Sequence, residues 1–217
     1  MVPILMRFDD GIDKKYTDSI NAAFATILAK GTAQQKQVMQ AILDSNMLVQ
    51  VGPVAQRNAS GQTFLISATT NAKLLTTRMS LEEALGEVCI FIAKETIDTG
   101  GQRGCEGTFV HEGQHAFDFA DAISSYSNRD VSPLGVSNPS LYELEWAAHQ
   151  TAGKYMLAIN KPDYLQEGMD LMILGKKDDG TYFVNDDGIR KRLNDSYGLQ
   201  EDGNTGPTAF QMMGIVV

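Results

Sequence analysis

The chain has 217 residues, of which 43% are hydrophobic, so it is long enough to bury a substantial core within one domain. Its 18 lysines and arginines are outnumbered by 27 aspartates and glutamates, and the formal charge of −9 argues against nucleic acid or an anionic membrane as the main partner. No apolar run reaches the length of a membrane-spanning helix, so the sequence predicts no such helix.

The first ten residues lack the basic segment and the long apolar stretch of a cleaved signal peptide. We therefore expect a cytoplasmic protein, one exported without a cleaved signal, or a fragment of a longer chain. The two cysteines do not have the number or spacing of a disulfide framework or a cysteine zinc site. Cys89 lies in an apolar run and is expected in the core, whereas Cys105 is expected in a glycine-rich loop, and a bridge between them is the less favoured alternative.

Hydrophobic periodicity predicts two helices and several short strands in the first half of the chain. The apolar stripe from Ile12 to Lys30 indicates an amphipathic helix that ends at Gly31, and Thr32 begins a second helix. Ser80 caps a short helical turn. Strands are predicted over residues 3–8, 47–51, 63–67 and 88–93. The last of these is continuously apolar, which is typical of a buried strand.

The second half is predicted to be mainly helical. Residues 98–107 contain four glycines and are expected to form the loop that leads into a helix carrying the main motif. A long surface connection is predicted from Ser124 to Ser140, followed by a helix to about Ile159 and a strand over 182–184. The expected fold is one α+β domain spanning 1–217. An α/β lobe with a small mixed sheet and the motif helix covers about 1–120, and a mainly helical lobe covers about 121–217.

The most informative segment is 108–117, because it contains two histidines four residues apart. His111 and His115 would lie on one face of a helix with their Cβ atoms about 5–6 Å apart, close enough to bind one metal ion. Glu112 can then reach a water molecule bound to that metal. With three histidines in the chain, a chance match is expected in roughly one of a few hundred such sequences. The pattern therefore predicts a hydrolytic site with one Zn²⁺ per chain.

A hydrolytic zinc site needs a third protein ligand and an open position for water. Glu145 is the favoured ligand, because it is flanked by leucine, tryptophan and alanine, and a carboxylate in such surroundings is costly unless something pairs with it. Glu143 has capping-box spacing from Ser140 and so already has a structural role. Asp121 and His149 are the remaining alternatives.

The two segments together resemble the gluzincins, the zinc metallopeptidases typified by thermolysin, in which a glutamate ligand follows the His-Glu-x-x-His helix. The run from Glu145 to His149 matches the family pattern Glu-x-x-Ala-Asp except for its final histidine. In the family, that aspartate orients a metal-bound histidine. Here His149 or Asp118 is expected to supply this support, or His149 itself approaches the metal. The resemblance covers about residues 85–160 and implies a zincin-like fold.

Two other similarities were considered. The metzincin pattern His-Glu-x-x-His-x-x-Gly-x-x-His or Asp would place Asp121 at the final ligand position. However, Asp118 occupies the glycine position, where the chain must leave the helix in a conformation that glycine tolerates best. The helix pair within residues 12–51 is also loosely similar to small metallopeptidase domains delivered as bacterial toxins or effectors.

The gluzincin resemblance implies a peptidase acting on a protein or peptide substrate, with Glu112 as general base. A tyrosine is expected to stabilise the oxyanion, with Tyr142 named first and Tyr155 and Tyr197 as alternatives. The apolar run 88–93 is a candidate strand for pairing with an extended substrate. The rival hypotheses are a binding or scaffold domain with a structural or vestigial metal site, and a metal-dependent hydrolase of a non-peptide substrate.

Overall fold

The computed structural model describes residues 6–66, 70, 73, 77–128 and 135–215, and these form an α+β fold. The elements up to the central strand are β1 (Arg7–Phe8), α1 (Lys14–Lys30), α2 (Ala33–Asp44), β2 (Leu48–Gly52), β3 (Gly61–Leu65), α3 (Leu81–Leu85) and β4 (Val88–Ala93). Those that follow are α4 (Lys94–Ser127), α5 (Leu141–Ile159), α6 (Pro162–Asp170), β5 (Leu174–Lys176), β6 (Tyr182–Val184), α7 (Asp186–Arg192), a π-helical turn (Leu193–Tyr197) and α8 (Ala209–Met213). None of the described helices combines the length and apolar character needed to cross a bilayer.

The main sheet is small and mixed, as predicted. Its strand order is β1-β2-β4-β3, in which β1, β2 and β4 are parallel and β3 is antiparallel to β4. Ile90 of β4 is paired with Val49 on one side and Thr63 on the other. All six residues of β4 are buried, which explains why this strand is apolar on both faces.

This order corrects the suggestion that a substrate pairs with residues 88–93. Both edges of β4 are already hydrogen-bonded to neighbouring strands, so it has no free edge for a further chain. Within the described sheet, β3 is the edge strand next to it.

Helix α4 is the centre of the packing. It contacts α1, α3 and β4, and on another side it contacts α5. The rings of Phe24 on α1 and Phe109 on α4 meet edge to face with centroids 5.8 Å apart. Gly113 permits a close approach to α2, because a Cβ there would lie 2.5 Å from Cε of Met39. The motif helix is therefore held in the core of the fold.

Several helices begin where the sequence predicted. Thr32, Ser80 and Ser140 each accept a hydrogen bond from the backbone amide three residues later, and the residue at that position returns one to the cap. Each cap satisfies amides that have no partner within the helix. The first residues of α2, α3 and α5 could therefore be predicted from the local sequence alone.

The glycine-rich segment 98–107 is helical, and the predicted loop was wrong. Helix α4 begins at Lys94 and continues through it, with a kink at Gly101, whose φ of 58° and ψ of −149° suit glycine. At Gly104 the absence of a side chain matters, because a Cβ would lie 3.0 Å from the Thr96 carbonyl oxygen. The four glycines indicated a loop here because glycine has a low helix propensity, but the packing of α4 against the core keeps the segment helical.

Cys105 accordingly lies buried in α4 rather than in a loop. Cys89 is buried in β4, as expected, and both thiols are free. Burial raises the pKa of each thiol to about 12, so neither is a reactive nucleophile at neutral pH. The predicted connection from Ser124 begins later than expected, because α4 continues to Ser127, and residues 129–134 lie outside the described part of the chain. The proposed strand over 3–8 is described only from residue 6 onward, where β1 forms.

Candidate metal centre

Two adjacent helices bring three predicted ligands together. His111 and His115 lie one turn apart on α4, with their Nε2 atoms 3.1 Å apart. Glu145 on α5 places Oε2 3.4 Å from Nε2 of His111 and Oε1 3.5 Å from Nε2 of His115. Ligand atoms around a tetrahedral Zn²⁺ with bonds near 2.0–2.1 Å are about 3.3 Å apart, so this spacing fits one ion.

The electrostatics of the group also favour a cation. Oε2 of Glu145 is buried and has no hydrogen-bond partner among the described residues. Burial would raise the pKa of this carboxyl, but the adjacent imidazoles of His111 and His115 outweigh it and hold the pKa well below its usual range. A buried carboxylate with an unsatisfied oxygen, facing two imidazoles, is a donor set suited to Zn²⁺.

The alternative third ligands lie elsewhere. Asp121 is exposed on α4, and Glu143 is exposed and occupied in the cap of α5, where it accepts from the amide of Ser140 at 2.7 Å. Of the described histidine, cysteine and acidic side chains, His111, His115 and Glu145 form the cluster whose ligand atoms lie within 4.8 Å of one another. The geometry therefore favours Glu145 over Asp121 and Glu143 as the third residue of the cluster.

His149 borders this cluster without belonging to it. Its Nε2 is buried without a hydrogen-bond partner and lies 3.8 Å from Oε2 of Glu145. Its ring centroid is 4.9 Å from that of His111. Burial and the neighbouring His111 lower the pKa of His149 to about 3, so its imidazole is neutral at physiological pH.

Glu112 is buried beside the cluster and is held by the sheet. The hydroxyl of Thr63 on β3 donates to Oε2 of Glu112 at 2.8 Å. Gly61, on the same strand, leaves room for the carboxylate, because a Cβ there would lie 2.9 Å from Cγ and 3.0 Å from Oε1 of Glu112. The edge strand therefore fixes where this carboxylate points.

The expected support from Asp118 is not formed as a hydrogen bond to a ligand histidine. Nδ1 of His115 is buried without a partner, and Asp118 accepts instead from the side chain of Gln114 at 2.9 Å. Gln114 in turn accepts from Thr151 of α5 at 3.1 Å. Burial raises the pKa of Asp118 to about 6, because it outweighs the hydrogen bond from Gln114 and the charge of His115, which lower the pKa.

The hydroxyl of Tyr142, the tyrosine named first, has its hydrogen-bond partner away from the predicted ligands. The hydroxyl of Tyr142 donates to Glu201 at 3.4 Å, and its ring stacks on Trp146 in a separate surface depression. Tyr155 donates to buried Glu106 at 2.6 Å and serves the packing of α4 against α5. Neither hydroxyl is directed to the predicted ligands, because each already has a carboxylate partner elsewhere.

Tyr197 is the tyrosine that lines the site. It closes the π-helical turn after α7, and its ring centroid is 6.1 Å from that of His149. Such turns recur at functional sites, because the widened backbone redirects a side chain. Burial and the charge of Glu145 raise the pKa of Tyr197 to about 12, so its hydroxyl keeps its proton and can donate a hydrogen bond.

Glu112, His149 and Tyr197 line one cleft of about 720 Å³. Its lining includes Gly61 and Thr108, the cluster members His111 and Glu145 together with Glu112, and also Arg192 and Tyr197. Sequence reasoning missed Thr63 and Arg192. Neither carries a local signal, since each reaches the site only through the packing of β3 and α7 in the folded chain.

No family model matches the chain, and searches of curated proteins and of solved structures found no similar protein. We therefore infer function from the residues and geometry of the cleft.

Proposed function

We propose that the protein is a zinc-dependent metallopeptidase with a gluzincin-type centre in a zincin-like domain. The observation that carries the proposal is the convergence of His111, His115 and Glu145 on one point beside the buried carboxylate of Glu112. Three protein ligands leave a fourth position open, as hydrolytic rather than structural zinc sites do.

Zn²⁺ held by these three residues would polarise the scissile carbonyl and lower the pKa of a bound water. Glu112 takes the proton of the attacking water and later delivers it to the leaving amine. Thr63 keeps that carboxylate oriented through the hydrogen bond at 2.8 Å. Tyr197, in place of Tyr142, donates to the carbonyl oxygen as negative charge develops on it. His149 is neutral and adds no competing positive charge to that oxygen.

A peptide substrate fits the site because of the position of β3. This edge strand lies next to Glu112, and Gly61 at its start lines the cleft. An extended peptide can add to a sheet edge through main-chain hydrogen bonds, which would carry its scissile bond past the general base. This edge favours a peptide over a non-peptide substrate.

A scaffold with a structural metal site is the rival function. It has no use for a general base, whereas Glu112 is buried, oriented by a hydrogen bond and adjacent to an open cleft. Burying a carboxylate costs stability, so its retention beside the cluster favours catalysis.

The test compares wild type with Glu112→Gln, Glu145→Gln and Glu143→Gln, all purified without a metal-binding tag. Zinc is measured by elemental analysis and proteolysis by casein digestion. We expect about one zinc per chain in wild type. Glu112→Gln should keep zinc and lose proteolysis, and Glu145→Gln should lose both. Glu143→Gln is the matched control on the same helix and should keep both, because glutamine can also complete the capping box, as Gln35 does in α2. A wild type that neither binds zinc nor digests casein would overturn the proposal.

A further inference from the structure

The cleft is lined by one arginine side chain, that of Arg192, which has no role in the proposed chemistry. Arg192 is the last residue of α7 and lines the cleft together with His149 and Tyr197. The guanidinium Nε is buried and has no hydrogen-bond partner, and no carboxylate of the described residues lies within ion-pair distance of it.

The neighbouring cations behave differently. Arg190 pairs with Asp187 at 3.0 Å, and Lys191 pairs with Asp195 at 2.6 Å. Both of these pairs are at the surface, outside the cleft. Arg192 is thus set apart from the two basic residues that precede it by having no partner and by facing the cleft.

The surroundings of Arg192 favour the binding of an anionic group. The lining of the cleft also includes the apolar side chains of Ala152, Met156, Leu171 and Ile173. Of the glutamates that also line the cleft, Glu167 is paired with Arg103 at 2.7 Å. A guanidinium partly removed from water, without a counterion, gains most from a carboxylate that it can bind with two parallel hydrogen bonds.

Arg192 also lies near the reacting groups. Its positive charge acts on both His149 and Tyr197, in each case lowering the pKa. A carboxylate bound by Arg192 would therefore be attached to the same substrate that reaches Tyr197.

We propose that Arg192 forms a carboxylate-binding subsite of the cleft and selects peptides that carry an acidic group near the scissile bond. The inference rests on the proposed peptidase function, and it names the substrate class. The carboxylate belongs either to an aspartate or glutamate side chain or to the C-terminus of the peptide.

The test uses one neutral peptide core in three forms. The first has an amidated C-terminus and a single glutamate moved through each position, the second has glutamine at those positions and a free C-terminal carboxylate, and the third is neutral and amidated. Cleavage rates are measured for wild type, Arg192→Gln and the matched control Arg190→Gln, which removes a positive charge outside the cleft. Zinc content and thermal unfolding show that each variant is folded and loaded. Binding of the same peptides to Glu112→Gln, with and without Arg192→Gln, is measured by calorimetry.

We expect wild type to prefer one carboxylate-bearing form over the neutral peptide by about tenfold to a hundredfold in kcat/KM, the range of a charge-assisted hydrogen bond. Arg192→Gln should abolish that preference, measured as the ratio of kcat/KM for the carboxylate-bearing and neutral peptides, while Arg190→Gln retains it. The preferred form identifies the source of the carboxylate.

The two proposals fail in different ways. Cleavage of all three forms at equal rates would overturn the subsite and leave the peptidase standing. Carboxylate-dependent binding that requires Arg192, without any cleavage, would support the subsite and overturn the peptidase. Neither binding nor cleavage would overturn both.

Discussion

Asp118 is a carboxylate on α4 near the proposed metal ligands. Its replacement tests whether it supports a ligand histidine or only lowers the stability of the fold. It is partly buried on α4, accepts one hydrogen bond from Gln114 and has a pKa raised to about 6 from its ordinary 3.8. Because the folded state binds its proton more tightly, ionisation disfavours folding. The cost is absent below the unfolded pKa, grows between about pH 4 and pH 6, and is constant above that range. A rise of two pKa units corresponds to about 3 kcal/mol at pH 7.5 and about 1 kcal/mol at pH 4.5.

Replacement of Asp118 by asparagine removes the charge and keeps an oxygen that Gln114 can donate to. We expect Asp118→Asn to raise the free energy of unfolding by up to about 3 kcal/mol at pH 7.5, with the gain falling toward about 1 kcal/mol at pH 4.5. Urea titrations of metal-free wild type and variant at both values measure this difference. Zinc affinity, measured by competition with a chelator, should be unchanged, because His115 Nδ1 makes no hydrogen bond to this carboxylate. A variant that is less stable at pH 7.5 would refute the burial cost, and weaker zinc binding would show that the carboxylate supports a ligand histidine.

Two further predictions concern catalysis. Tyr197→Phe should lower kcat on a peptide substrate by about a hundredfold, the loss typical of one oxyanion donor, with zinc content unchanged. Tyr142→Phe should leave kcat unaltered, because that hydroxyl contacts Glu201 outside the cleft, and the opposite ranking in steady-state assays would return the donor role to it. Gly61→Ala should cost about a hundredfold in kcat/KM without loss of zinc, since the new Cβ would lie 2.5 Å from Thr108 and 2.9 Å from Glu112 and displace the base. Full activity in this variant would mean that the edge strand does not position Glu112.

The elements that the sequence predicted well are those with local signals. The strands over 88–93 and 182–184 have the expected bounds, because a short run of apolar or aromatic residues between turns has few alternatives. The start of α5 followed from the Ser140 capping box. By contrast, the glycines of 98–107 indicated a loop, and only the contacts of α4 with the surrounding core keep that segment helical.

The predicted metal ligands were accessible to the same local reasoning. The spacing of His111 and His115 places both on one helical face whatever the rest of the chain does. Glu145 was favoured because an acidic residue among apolar neighbours on a helix needs a partner, and the structure brings it to those histidines. The position of Glu112, the proposed general base, could be predicted for the same reason, since it directly follows the first histidine and lies buried beside it.

The residues that would meet the substrate were not accessible in this way. Thr63 reaches Glu112 only because β3 is the antiparallel edge of the sheet, and strand order is not encoded in periodicity. Tyr197 and Arg192 reach the cleft because α7 and its π-helical turn pack beside α5. In this chain, the proposed ligands could therefore be predicted locally, whereas the orientation of the proposed base and the proposed substrate contacts depend on tertiary contacts. It follows that substitutions at the histidines can test only whether a metal binds, and that Thr63, Arg192 and Tyr197 are the positions that test what the cleft does with it.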